Sequence, residues 1–252
     1  MIRRSVPGAA EWLLIPQGEH ARLSGELAAA WNMPEFGRLD PYQPLLYAIA
    51  HHDDGWPEWE QSPGVDSGGR PVNFDEMPTL DSLSIWRRSI DRCAAHHPVA
   101  GHAVAGHFMA LLRRFNAWRH GADEARFAAE TFLDDYARKT ADWLAAWPGS
   151  SAAAQAAADH AVAVLQLFDA LSLWLCCQPR TDAAKFVYPG AGRIELKPLS
   201  ERDFVVSPWP FQKDELLLAL PAWRIPQRSF ASPEELARAM AATATIDWRL
   251  RR

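Results

Sequence analysis

The sequence predicts a mainly α protein, with a helical body over residues 1–180 and a small α+β extension packed on it over residues 181–252. Apolar residues recur at helical spacing through the first part of the chain, as in helices that bury one face. Ala-rich tracts in the same part favour helix strongly. After Gln178 the composition changes to short apolar runs bounded by Pro, Gly and Asp, which is typical of strands.

The elements follow from these patterns in chain order. Six helices are predicted, over Glu19–Trp31, Pro41–Asp53, Leu80–Cys93, Pro98–Trp118, Ala122–Trp147 and Ala152–Cys177. The extension is predicted to hold strands at Arg193–Leu199, Phe204–Val206, Leu216–Leu220 and Ile246–Leu250. Between the last two strands, Ser232–Ala242 has Ser at the N-cap and Glu at the third helical position, which is the capping box of a helix.

A long connection follows the second helix, which Gly55 and the proline after Trp56 should end. Residues 55–79 are rich in Pro, Gly, Asp and Ser, and so long a connection is uncommon within a compact domain unless it is functional. Trp56, Trp59 and Phe74 are expected to fold back over the preceding helix end. They would form either a lid over a site or a structural cover.

Composition excludes several classes of protein. A net charge of -5 gives no basic surface for nucleic acid or anionic lipid. The N-terminal residues lack the apolar run of a signal peptide, and the most apolar segments are interrupted by polar residues and shorter than a bilayer span. Three cysteines without paired spacing indicate neither a disulfide framework nor a zinc ribbon. We therefore expect a cytoplasmic protein that contacts neither membrane nor nucleic acid.

Asp169 is the most unusual acidic residue, because its helix is otherwise almost wholly apolar. An unpaired carboxylate buried there would cost several kcal/mol, so it must be neutralised, ion-paired or bound to a metal. Gln166 and Ser172 lie three residues to either side and continue a polar stripe along the helix. A structural ion pair and a metal site both satisfy this requirement.

Two histidine positions offer partners for Asp169. His20 lies in the first turn of the first helix, and His52-Asp53 closes the second, in the stretch Ala-His-His-Asp-Asp-Gly-Trp. At a helix end the backbone unwinds, so that adjacent side chains can converge. Imidazole and carboxylate together suit divalent ions such as Mn, Fe, Co, Ni or Zn.

The ordered set His20, His52-Asp53 and Asp169 on apolar helices resembles the HD-domain superfamily of metal-dependent phosphohydrolases. The resemblance implies an HD-domain-like helical bundle in which these four residues are metal ligands. Trp56 stands where many such hydrolases carry Lys, and the Gly-Tyr-Pro signature of cyclic-dinucleotide phosphodiesterases is absent. Over most of the chain, the His-Asp-Asp-Gly-Trp, Gly-Arg-Pro-Val-Asn-Phe and Ser-Pro-Trp-Pro-Phe stretches look like the uncharacterised bacterial family known as domain of unknown function 3891.

Related HD enzymes hold two metals through extra histidines, so the resemblance makes His107 a further candidate ligand or catalytic group. Four histidines lie in this region: His96, His97, His102 and His107. His102 and His107 are five residues apart and should not face the same ion. His107 lies deepest in the apolar run, whereas His96 and His97 are better read as helix caps.

The leading function is a metal-dependent phosphohydrolase that acts on a small phosphorylated or nucleotide-like substrate through a metal-activated water. It would use one or two divalent ions, drawn from Mn, Fe, Co, Ni, Zn or Mg. His51 or Asp54 would orient ligands or shuttle protons, and Arg22 or Arg70 could neutralise phosphate. Two alternatives stay open: a di-iron oxygenase on the same scaffold, and a non-catalytic, metal-stabilised protein whose tryptophans line a ligand pocket.

Overall fold

The computed structural model describes residues 1–32, 39–177, 181–188 and 192–252. Its elements in chain order are β1 Ile2–Ser5, β2 Glu11–Ile15, α1 Gln17–Ala30, α2 Tyr42–His51, α3 Pro57–Glu60, α4 Thr79–His96, α5 Pro98–Arg114, α6 Asp123–Trp143, α7 Ser151–Cys176, β3 Ala184–Tyr188, β4 Gly192–Pro198, β5 Asp203–Ser207, β6 Glu215–Pro226, α8 Pro233–Ala239 and β7 Thr243–Arg251. The long helices and the capped helix α8 confirm the corresponding sequence predictions to within a few residues at most ends. Ser232 accepts a hydrogen bond from the backbone of Glu235, as its N-cap role requires.

The predicted fold class, an HD-domain-like helical bundle with a small α+β extension, is wrong. Helices form 54% of the structure, but strands form 21% and join into one seven-stranded sheet that curls into half a barrel. The strand order is β1-β2-β6-β7-β5-β4-β3, and every neighbouring pair is antiparallel except β5 and β7. Because β1 and β2 come from the start of the chain, the sheet draws on both ends of the sequence. The division of the chain at residue 180 stays a prediction.

Strand β2 shows why the sheet was underestimated. Its sequence, Glu-Trp-Leu-Leu-Ile, has no alternation, because both of its faces are buried. Leu13 and Ile15 lie in the main core, whereas Trp12 and Leu14 lie in a second cluster that includes Leu236 of α8. A short unbroken apolar run carries no periodicity that separates a strand from a helix segment.

One face of the sheet packs on the helices and builds the main core. Alternate residues of β6 and β7 are buried there, including Leu218, Leu220, Ile246 and Trp248, together with apolar residues of α1, α5 and α7. The chain thus places a helical layer against a curled sheet. Within the helical layer, α1 packs against α2 and α7, and α5 packs against α2 and α7, so four helices meet around one point.

Helix α7 is the central helix of this layer. Among the described residues it alone is long and apolar enough to cross a membrane by length and composition, and 50% of its most apolar window is buried inside the protein. Phe168, Leu171 and Leu175 are buried in the main core. This burial places its apolar surface against the rest of the protein, as in a core helix.

The connection between α2 and α4 covers the end of α2. Trp56 is buried over Asp53, and Trp59 and Val65 pack against the cluster beneath β1 and β2. Gly69, in the left-handed backbone region, pairs with the backbone of Phe230. Of the two roles predicted for this segment, these contacts favour that of a structural cover.

Candidate metal centre

Four predicted ligands meet where α1, α2 and α7 converge. His20 lies in the first turn of α1, His52 caps the C-terminus of α2 with Asp53 next to it, and Asp169 projects from α7. All four are deeply buried: the side chains of both histidines are 1% exposed, that of Asp53 is 7% exposed and that of Asp169 is 13% exposed. Helix packing has therefore brought together residues that are up to 149 positions apart.

The distances between these side chains match those between ligands of one ion. Nε2 of His20 lies 3.0 Å from Oδ1 of Asp169 and 3.7 Å from Oδ2 of Asp53. Nε2 of His52 lies 3.4 Å from the same Asp169 oxygen and 3.5 Å from the same Asp53 oxygen. Two ligands about 2.1 Å from an ion stand about 3.0 Å apart at right angles and about 3.4 Å apart at the tetrahedral angle. His20, His52 and Asp169, hereafter the triad, are a possible metal-binding set, and Asp53 lies beside it.

The hydrogen bonds of His52 direct its Nε2 toward the centre. Nδ1 lies 2.9 Å from the carbonyl oxygen of Ile49, which can only accept, so Nδ1 donates. Nε2 is buried and has no hydrogen-bond partner. Asp169 lies 3.4 Å away but outside hydrogen-bond alignment. An unpartnered buried nitrogen facing two carboxylates is the donor that a cation would take up.

His20 and Asp53 are each held by a second contact. Nδ1 of His20 lies 2.6 Å from Oγ of Ser172, one turn along α7 from Asp169. The indole nitrogen of Trp56 donates to Oδ1 of Asp53 at 3.1 Å, leaving Oδ2 toward the histidines. The sequence indicated Ser172 only as part of a polar stripe, and gave no sign of the contact from Trp56.

The charges at this centre call for a cation. Among the residues that the structure describes, no Lys or Arg forms an ion pair with Asp53 or Asp169. Burial lowers the pKa of His52, but the two carboxylates outweigh that effect and raise it to about 9. Burial also raises the pKa of Asp169, but the histidines that contact it hold that pKa well below its usual range. Burial raises the pKa of Asp53, and the histidine charges offset only part of that rise. The field that retains a proton on His52 would equally retain a metal ion.

His107 lies at the edge of the centre, and the other three histidines of its region lie elsewhere. Nε2 of His107 is 3.9 Å from Oδ2 of Asp169, and burial lowers its pKa to about 4, so the ring is neutral at pH 7. His102 packs against Trp147, and His96 stacks on Tyr47. His97 caps α5 by accepting a hydrogen bond from the backbone of Val99.

The remaining predicted residues are engaged with one another or with other acids. His51 and Asp54 pair at 2.9 Å, both partly exposed, so their role as orienters or proton shuttles stays a prediction. Arg22 contacts Glu19 and Glu26, and Arg70 contacts Asp66. Neither arginine forms an ion pair with a carboxylate of the centre.

The turn after Asp53 is fixed to α4 by Ser89, and a substitution can test that contact. The backbone N–H of Gly55 donates to Oγ of Ser89 at 2.9 Å in a buried environment. Ser89→Ala leaves this donor unpaired and should lower the free energy of unfolding by about 1 to 2 kcal/mol, measured by urea denaturation. Ser84→Ala, on the exposed side of the same helix, should change it by less than about 0.5 kcal/mol. Equal effects of the two variants would contradict the contact.

Two surface hollows lie away from the centre. One, of about 430 Å³, is on the sheet and includes Leu217 and Asp247, and the other, of about 420 Å³, is beside Trp118 and Arg126. No residue of the triad lines either hollow. The centre is thus a closed, buried cluster in this structure, with Asp169 as its most exposed member.

Comparison with known proteins identifies the family of the chain. A family model described as "Protein of unknown function (DUF3891)" matches residues 1–227. No curated protein and no solved structure matches the chain. This match confirms the resemblance to that family, and the relation to the HD-domain superfamily stays a prediction. The chain belongs to the DUF3891 family of proteins of unknown function.

Proposed function

We propose that the chain is a divalent-metal-dependent phosphohydrolase that acts on a small phosphorylated substrate. The observation that carries the proposal is the convergence of two imidazole nitrogens and two carboxylates, all buried, at 3.0 to 3.7 Å from one another's ligand atoms. The triad and Asp53 would hold the ion, and their mixed N and O donors suit Mn, Fe, Co, Ni or Zn better than Mg.

The bound ion would lower the pKa of a coordinated water and polarise a phosphoryl oxygen. The chain's own residues support this chemistry in distinct ways. Asp169 directs one oxygen to the two histidines and the other toward His107. His107, neutral at pH 7, can accept a proton at the edge of the centre. Trp56 keeps one oxygen of Asp53 occupied, so that the second oxygen faces the histidines.

A second candidate, the non-catalytic metal-stabilised protein, is favoured by burial. Structural metal sites are closed, whereas catalytic sites keep an open position. The centre here is closed, and the described hollows do not reach the triad. The di-iron oxygenase has less support, because His96, His97 and His102 do not join the triad.

Metal binding should stabilise the folded chain, and this distinguishes the candidates from a protein without a metal. At 100 times its dissociation constant, a ligand adds about 2.7 kcal/mol to the free energy of unfolding. For a chain of 252 residues, this should raise Tm by roughly 5 to 11 °C. Differential scanning calorimetry with and without Mn, Co, Ni or Zn measures the shift.

Variants and turnover then separate the two functions. His52→Ala should abolish the metal-induced shift, whereas His96→Ala, an exposed histidine away from the centre, should retain it. Metal-dependent hydrolysis of p-nitrophenyl phosphate or its diester, lost in His52→Ala, supports the hydrolase. Stabilisation by metal without turnover of either ester supports the non-catalytic protein. Absence of any metal-induced shift overturns both.

A further inference from the structure

Two serine hydroxyls approach the backbone carbonyl of His20, but only one of them also touches its ring. Oγ of Ser172 lies 2.8 Å from the His20 carbonyl oxygen and 2.6 Å from Nδ1 of the same residue. Oγ of Ser24 lies 3.1 Å from that carbonyl and has no described contact with the ring. Both serines are fully buried.

The proton count assigns the direction of each bond. A carbonyl oxygen can only accept, so the single hydroxyl proton of Ser172 is used in the bond to the His20 carbonyl. The 2.6 Å contact between Oγ and Nδ1 then requires a proton on Nδ1. Because a neutral imidazole carries one proton, Nε2 is left with a lone pair directed at Asp169 and His52.

We infer that Ser172 is a positioning residue, which fixes the proton of His20 on Nδ1 and thereby keeps Nε2 as a ligand atom. The inference rests on the proposed function, because it gives the metal-facing nitrogen its purpose. One turn of α7 thus supplies both a ligand, Asp169, and the group that orients another ligand. Without the hydroxyl, the proton would be better placed on Nε2, where Asp169 accepts it at 3.0 Å and the lone pair is lost.

The test combines metal affinity with a spectroscopic readout of the ring protons. Ser172→Ala should weaken Zn²⁺ binding by about 10- to 100-fold in isothermal titration calorimetry, as loss of a ligand's hydrogen-bond partner does. Ser24→Ala is the matched control: it removes the other buried hydroxyl at the same carbonyl and should change the affinity less than about 2-fold. Ser172→Thr, which retains a hydroxyl, should bind more tightly than Ser172→Ala.

Two-bond ¹H–¹⁵N spectra of the histidine rings separate this inference from the proposed function. In the metal-free and Zn²⁺-loaded wild type, Nδ1 of His20 should carry a proton, and in metal-free Ser172→Ala the proton should move to Nε2; His20→Gln assigns the signals. An unprotonated Nδ1 in the wild type overturns the inference even if Ser172→Ala fails to fold. Equal Zn²⁺ affinity of wild type and Ser172→Ala also overturns it. A wild type that binds no metal but shows this proton shift overturns the proposed function alone.

Discussion

Asp169→Asn should reduce the affinity for divalent metal by more than about 100-fold, the upper range for losing only a ligand's partner. This carboxylate contacts both histidines of the triad and supplies half of the negative charge that would balance the ion. The asparagine amide can instead donate to the Nε2 lone pairs, so the metal-free chain should keep its fold. Isothermal titration calorimetry and near-UV circular dichroism measure the two effects.

Asp159→Asn provides the matched control for this loss. Asp159 lies on the same helix but is exposed to solvent and contacts only Gln155 among the described hydrogen bonds. Its substitution removes the same charge from the chain and should leave metal affinity unchanged. Wild-type affinity in Asp169→Asn would mean that the metal, if bound, lies elsewhere.

Gly55→Ala should be among the most destabilising single substitutions in the chain. A Cβ at Gly55 would lie 2.1 Å from the carbonyl oxygen of Ile85 and 2.8 Å from the backbone nitrogen of Ser89. These are backbone atoms of α4, which cannot rotate away, so the turn or the helix must shift. We expect a loss of about 3 kcal/mol or more, the upper range for overpacking, and a fall in Tm of roughly 6 to 12 °C.

Gly18→Ala separates this steric effect from the general effect of replacing glycine. Gly18 lies in the first turn of α1 with no heavy atom within 4 Å of the position a Cβ would take. Alanine should be tolerated there and stabilise the helix by up to about 1 kcal/mol. Thermal unfolding of both variants tests the comparison, and a similar Tm for the two would refute the close approach of the turn to α4.

The predicted metal ligands came from residue types at helix ends and in apolar surroundings, and these features can be read from a single sequence. Asp169 stood out because no carboxylate is buried without a partner. The contacts that orient the ligands could not be predicted in the same way. Ser172 contacts a residue 152 positions away, and such a pairing depends on how α1 and α7 pack.

The sheet was harder to predict than the helices for a related reason. Helical periodicity is local, whereas strands are defined by partners that lie far away along the chain. Strand β6 was predicted only over Leu216–Leu220, because Pro221 interrupts the pattern. In the structure the strand continues to Pro226, and the side chain of Pro221 faces solvent.

The pairing of β2 with β6 also has a consequence for synthesis on the ribosome. Strand β2 ends at Ile15 and β6 begins at Glu215, a separation of 215 − 15 = 200 positions. At about 5 to 20 residues per second, the nascent β2 waits roughly 10 to 40 s for its partner. During that interval, Trp-Leu-Leu-Ile is an apolar edge that a chaperone would be expected to shield until translation is nearly complete.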